Sequence, residues 1–171
     1  MRRNRNTTFL SLAALVAFLA APSIAYGGGL KFEADLSGAQ VVTAPAGGVD
    51  TGTTAKIKVK FDDALTEVEV ELNIKDGFGI TSAHFHCARA GVNGPVPIGL
   101  FTPGPLGFDD TGAEGTLTND DFITATDCAG IERPVNNIAA LAFAMRDGLI
   151  YAQVHNTTNP AGEVRGQLLE K

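Results

Sequence analysis

The sequence predicts an all-β fold: a Greek-key sandwich or barrel of about eight strands with one short helix over residues 137–146. Three observations point there. Apolar and polar residues alternate with a period of two through most segments. The chain's 20 glycines and 8 prolines are scattered as turn punctuation rather than gathered in low-complexity tracts. Only residues 137–146 break the rhythm, with Ile138, Leu141, Ala142 and Met145 at helical spacing.

From the N-terminus, residues 1–25 carry Arg2, Arg3 and Arg5, then an apolar run from Phe9 to Ala21, then the small residues around Ser23-Ile24-Ala25. This order predicts a secretory signal cleaved after Ala25. The run is shorter than the ~20 residues a membrane span needs, so the mature chain is expected not to insert in a membrane. Residues 26–29, with Gly27-Gly28-Gly29, read as a flexible leader, and residues 30–171 as one domain. Losing three arginines and no acid moves the formal net charge from −6 to −9. That field repels nucleic acid and anionic lipid. The expected partners are a metal ion and another exported protein, in the periplasm or secreted.

Strands are expected at 55–61 and 66–72, and at 31–37, 80–86, 96–101, 113–117, 150–155 and 162–169, these six each bounded by Gly, Pro, Asn or Asp. Ile57, Val59 and Phe61 share one face while Lys56, Lys58 and Lys60 share the other, and Val68, Val70 and Leu72 alternate with Glu67, Glu69 and Glu71. A tight turn at Asp63-Ala64 would pair Lys60 with Glu67, Lys58 with Glu69 and Lys56 with Glu71. For the helix, Asn136 or Asn137 supplies a cap and Gly148 a stop.

The stretch from Ala83 to Pro95 carries His84, His86 and Cys87, two of three histidines and one of two cysteines. On a strand His84 and His86 share a face, opposite Ala83, Phe85 and Cys87. The third histidine, His155, ends a strand on which Tyr151, Gln153 and His155 share a face. Three neutral imidazoles with an open position suit copper, or less well zinc, rather than calcium or magnesium. The alternative makes them a hydrogen-bonding cluster with Tyr151, Asn93 or Asn156. Cys87 and Cys128 in an exported chain predict a disulfide closing a loop of about 40 residues. The rival reading makes Cys87 a thiolate ligand beside His86 and leaves Cys128 unexplained.

His84-Phe85-His86-Cys87 with Gly91-Val92-Asn93-Gly94-Pro95-Val96, and the run from Val154 to Leu168 containing His155-Asn156-Thr157-Thr158-Asn159-Pro160-Ala161-Gly162-Glu163-Val164-Arg165, resemble the CHRD domain, named after chordin. The likeness runs from Phe32-Glu33-Ala34-Asp35-Leu36-Ser37-Gly38 to the last strand, and it implies a β-rich extracellular module. A looser similarity is to the copper-zinc superoxide dismutases. Their Greek-key barrels hold copper with a His-x-His pair and a later histidine, near an arginine. That resemblance matches His84, His86 and His155 to the ligands and gives Arg165 an anion-guiding place. No histidine remains for a bridging ligand or a zinc loop. The bland reading of Arg165 is a buried guanidinium clamping Glu163 or loop carbonyls.

Other chemistry is sparse. The acidic stretches 107–112 and 118–121 lack the spacing of a calcium loop. Ser82 beside His84 has no orienting acid, and Asn156-Thr157-Thr158 is a glycosylation sequon. The expectation is therefore an exported copper-binding protein that stores, delivers or redox-cycles the ion at His84, His86 and His155. The alternatives are a non-catalytic interaction module and a copper-only dismutase-like enzyme.

Overall fold

The computed structural model describes residues 29–102, 104–109, 111–123 and 126–171. The expected signal, residues 1–25, lies outside the described residues, as does the leader up to residue 28.

Strands β1 (Lys31–Ser37), β2 (Thr54–Phe61) and β3 (Glu67–Lys75) form an antiparallel meander. The two-residue alternation sends Phe32, Leu36, Ile57, Val59, Phe61, Val68, Val70 and Leu72 inward, each at most 3 % exposed. Lysines and glutamates take the outer face, as expected, but the register is two residues from the expected one. Lys60 opposes Glu69, Lys58 opposes Glu71, and Lys56 opposes Asn73. The cause is Asp62. Its carboxylate accepts from the Thr66 and Glu67 amides at 2.8 Å each, and the Leu65 amide bonds back to the Asp62 carbonyl at 3.2 Å. The tip is thus a longer loop over residues 63–66 built on a turn, with Leu65 at φ 55°. Lys58 and Lys60 keep carboxylate partners at 3.1 and 2.9 Å, whereas Lys56 reaches across to Glu33 on β1 at 3.3 Å.

The remaining main strands are β4 (Ile80–Cys87), β5 (Ile98–Phe101), β7 (Gly112–Thr118), β10 (Ile150–Asn156) and β11 (Val164–Gln167). Short β6 (Gly107–Asp109) lies beside β7, and β12 (Leu169–Glu170) pairs with β1. A separate two-stranded piece joins β8 (Thr126–Asp127) to β9 (Pro134–Val135). The main sheet runs β5-β4-β10-β11-β1-β2-β3-β7-β6. Its two ends meet where Ile98 bridges Phe122 and the Leu106 amide donates to the Leu100 carbonyl at 3.0 Å. Eight strands therefore make a nearly closed antiparallel barrel. Beside β4-β5-β7, strand β10 returns to flank β4, which is the Greek-key order.

That return passes through α1 (Ile138–Arg146). Asn137 caps it, its side-chain oxygen accepting from the Ala140 amide at 2.8 Å, and Gly148 leaves it at φ 67°. Ile138, Leu141, Ala142 and Met145 are buried, so the helical stripe is core. Cys87 and Cys128 form a disulfide with Cα atoms 4.7 Å apart, tying the end of β4 to the loop before β9.

Candidate metal centre

On β4 the side chains of Ala83, Phe85 and Cys87 enter the barrel core, each at most 1 % exposed, and so His84 and His86 point outward. On β10 Ala152 and Val154 enter the core, which turns Tyr151, Gln153 and His155 to the same outer face. The antiparallel register pairs Tyr151 with His86, Gln153 with His84 and His155 with Ser82. His155 is therefore the diagonal neighbour of His84, a relation that spacing in the sequence does not reveal. On β11, Arg165 lies opposite Gln153 and Gln167 opposite Tyr151.

This outer face is not left to solvent. All seven residues of β10 are buried, because three loops close over the strand from outside. Asn93 donates to the Val42 carbonyl at 3.1 Å, joining the loop after β4 to the loop after β1. Gln153 Nε2 donates to the Ala161 carbonyl at 2.5 Å, and Gly162, at φ 139°, leaves room for that amide where a Cβ would stand 2.0 Å from it. Glu163 accepts from Thr51 and from Asn159, each at 2.5 Å. Burial would raise the Glu163 pKa, but these bonds outweigh it and hold the carboxyl below its usual range.

The three histidines come together here. One ligand-capable nitrogen of each lies within 4.8 Å of the others, and His84 Nδ1 stands 3.2 Å from His155 Nε2. Each ring also bonds to backbone. His86 Nδ1 donates to the Gly94 carbonyl and His155 Nδ1 to the Pro160 carbonyl, both at 3.0 Å, and His84 bonds to the Thr102 backbone. These contacts fix Nε2 of His86 and of His155 as the lone-pair nitrogens. His86 Nε2 is buried and has no hydrogen-bond partner among the described residues. A backbone carbonyl behind each imidazole is the support that metal-ligating histidines use.

Burial, reinforced by the charges His155 and His86 would carry, lowers His84 from 6.5 to about 4. Burial likewise lowers His86 to about 4, against the opposing bond to Gly94, and lowers His155 against its bond to Pro160. All three are neutral at pH 7, the form in which imidazole binds a metal. With metal–nitrogen bonds of about 2.0 Å, two ligand atoms can stand at most about 4 Å apart. Closing the trio on one ion requires nitrogens that lie within 4.8 Å of one another to approach by about 1 to 1.5 Å at the widest pair. The donor set thus fits a copper or zinc ion, and Cys87, committed to the disulfide and to the core, is not part of it.

A stack extends from the trio. The His86 and Tyr151 rings lie 4.8 Å apart and 9° from parallel, and the Arg165 Cζ sits 3.5 Å from the Tyr151 centroid. Tyr151 Oη accepts from the Gly94 amide at 3.1 Å, so Gly94 holds both rings of the pair. Arg165 clamps loop carbonyls, with Val92 at 3.0 Å and Arg89 at 3.4 Å, and not Glu163. A cleft of about 530 Å³ between residues 39–48 and 90–91 ends on Arg165 and Gln167 rather than on the imidazoles.

The lesser candidates have structural explanations. Asp121 forms a reciprocal cap with Thr118, and Asn119 accepts from the Ile138 amide at 2.8 Å. Asp110, in the other acidic stretch, lies outside the described residues. The sequon residue Asn156 is 5 % exposed and accepts from the Asn159 amide at 2.6 Å. The sequence reading missed the weight of Tyr151, Gln153 and Gly94. The signal for the first two was polar residues at period two on a strand whose other face carries Ile150, Ala152 and Val154.

No curated protein and no solved structure shows significant similarity to the chain. The family model of the CHRD domain matches residues 32–168, from the first strand to the end of the barrel and across both histidine-bearing strands. With nearly all of the described chain inside that match, the protein belongs to the CHRD domain family.

Proposed function

We propose that this protein is an exported copper-binding protein that holds one ion between His84, His86 and His155, for storage, delivery or redox use. The reading rests on the buried, unpartnered His86 Nε2 in a cluster where one ligand-capable nitrogen of each of the three imidazoles lies within 4.8 Å of the others. A buried polar atom without a partner costs about 1–3 kcal/mol, and a bound ion removes that cost. The chain's own residues do the preparatory work. Gly94 and Pro160 orient two rings by accepting from Nδ1, and burial favours the neutral form of all three rings. Copper held by three imidazoles with an open position is competent for transfer to another ligand or for one-electron chemistry. The oxidised Cys87–Cys128 pair supports an oxidising compartment outside the cytosol.

Copper titration of the wild type against a His84→Ala, His155→Ala double variant tests this reading. One equivalent bound by the wild type and at least about a hundredfold weaker binding by the variant is expected, since a single lost supporting group already costs about 10–100-fold. Equal binding by both, or none by the wild type, would overturn it.

A further inference from the structure

Among the described residues, the face that carries the three histidines also carries a buried positive charge with no acid against it. Arg165 is 2 % exposed. Its hydrogen bonds run to Asn93 Oδ1 at 3.3 Å and to the Arg89 and Val92 carbonyls, all neutral acceptors. Glu163 is the buried acid nearest in sequence, and its oxygens are taken by Thr51 and Asn159. Behind His86 and His155 stand the carbonyls of Gly94 and Pro160 rather than carboxylates.

The guanidinium, with its Cζ 3.5 Å from the centre of the Tyr151 ring, fills that ring face, so His86, stacked at 4.8 Å, occupies the other. The three side chains make a column with a fixed positive charge at one end and a candidate metal ligand at the other. We propose that the Arg165–Tyr151–His86 column sets the oxidation-state preference of the histidine site, favouring monovalent over divalent copper. This inference rests on the metal-binding reading above.

Divalent copper places one more unit of positive charge in the pocket than monovalent copper does. A buried guanidinium repels that extra charge through protein that excludes salt. Carboxylates behind the imidazoles would offset the extra charge, and the hydrogen bonds of His86 and His155 go to carbonyls instead. Across a separation on the order of 10 Å, at an effective dielectric of about 20, one unit charge is worth about tenfold in relative affinity.

The test measures monovalent copper affinity by anaerobic competition with a chromophoric chelator, divalent affinity by a second competition, and their ratio. Arg165→Gln is expected to lower the ratio of monovalent to divalent affinity about tenfold, and Arg165→Lys to hold it within about threefold. Asn93→Asp puts a carboxylate against Arg165 Nη1 from an exposed position, at the loss of the Asn93 bond to the Val42 carbonyl, and is expected to lower the ratio at least about threefold. Should Arg165→Gln not fold, Asn93→Asp decides alone. A copper-binding protein whose ratio stays put in the Asn93→Asp variant overturns the inference and leaves metal binding standing. A wild type that binds neither ion removes the metal-binding reading and this inference with it.

Discussion

His86 concentrates the residue-scale logic. One nitrogen is pinned by a carbonyl, the other is buried without a partner, and one ring face is covered by Tyr151. The pH dependence of the metal-free protein follows from such burial. The folded values of His84 and His86 are about 4, below the ordinary 6.5. Above 6.5 folded and unfolded chains are both neutral at these sites. Between 6.5 and 4 the unfolded chain takes up protons that the folded one does not, so stability falls as pH falls through that window. Melting temperatures of the metal-free protein should therefore be level above about pH 7 and decline from about pH 6.5 to 4.5, with a shallower decline in His86→Gln. A flat profile across that range would contradict the burial of the neutral rings. Gly94 is the second residue to test. A Cβ there would lie 2.1 Å from the Cys87 carbonyl oxygen, so Gly94→Ala must displace the loop that orients His86 and Tyr151. A loss of about 1–3 kcal/mol in denaturant unfolding is expected, because the obstacle is backbone and cannot rotate away.

At the scale of elements, strands and helix were legible wherever one face is core and the other solvent. The helix was readable to a cap at Asn136 or Asn137, of which Asn137 serves, and to its stop near Gly148, since capping is a local event. The β2–β3 register was not, because it depends on which turn Asp62 organises, and both registers put lysines and glutamates on the same face. Lys58 and Glu71 are directly opposed, and a double-mutant cycle on them should give a coupling of about 0.2–1 kcal/mol. The same cycle on Lys58 and Glu69, the pairing read from sequence, should give a smaller one. The disulfide is a further element-scale link, from the end of β4 to the loop that precedes β9. Replacing both cysteines by serine should cost about 2–4 kcal/mol, read by urea unfolding. A cost near zero would mean that the loop is held without it.

For the whole molecule, closure of the barrel decides what the histidines mean. The sequence placed His84, His86 and His155 on polar strand faces, but only the insertion of β10 between β4 and β11 makes them neighbours. Long-range strand order carries no local signature, and neither does the choice of loops that bury this outer face. The polar periodicity of Tyr151, Gln153 and His155 was visible; that every residue of β10 is buried was not, because two of the three covering loops, those after β1 and β4, are distant in sequence. X-ray absorption on the copper-loaded protein distinguishes one ion held by three imidazoles on this buried face from any other mode of binding. Nitrogen neighbours at about 2.0 Å with outer-shell scattering from three imidazole rings are expected. A spectrum with sulfur in the inner shell, or with scattering from fewer than two imidazoles, would contradict three-imidazole binding.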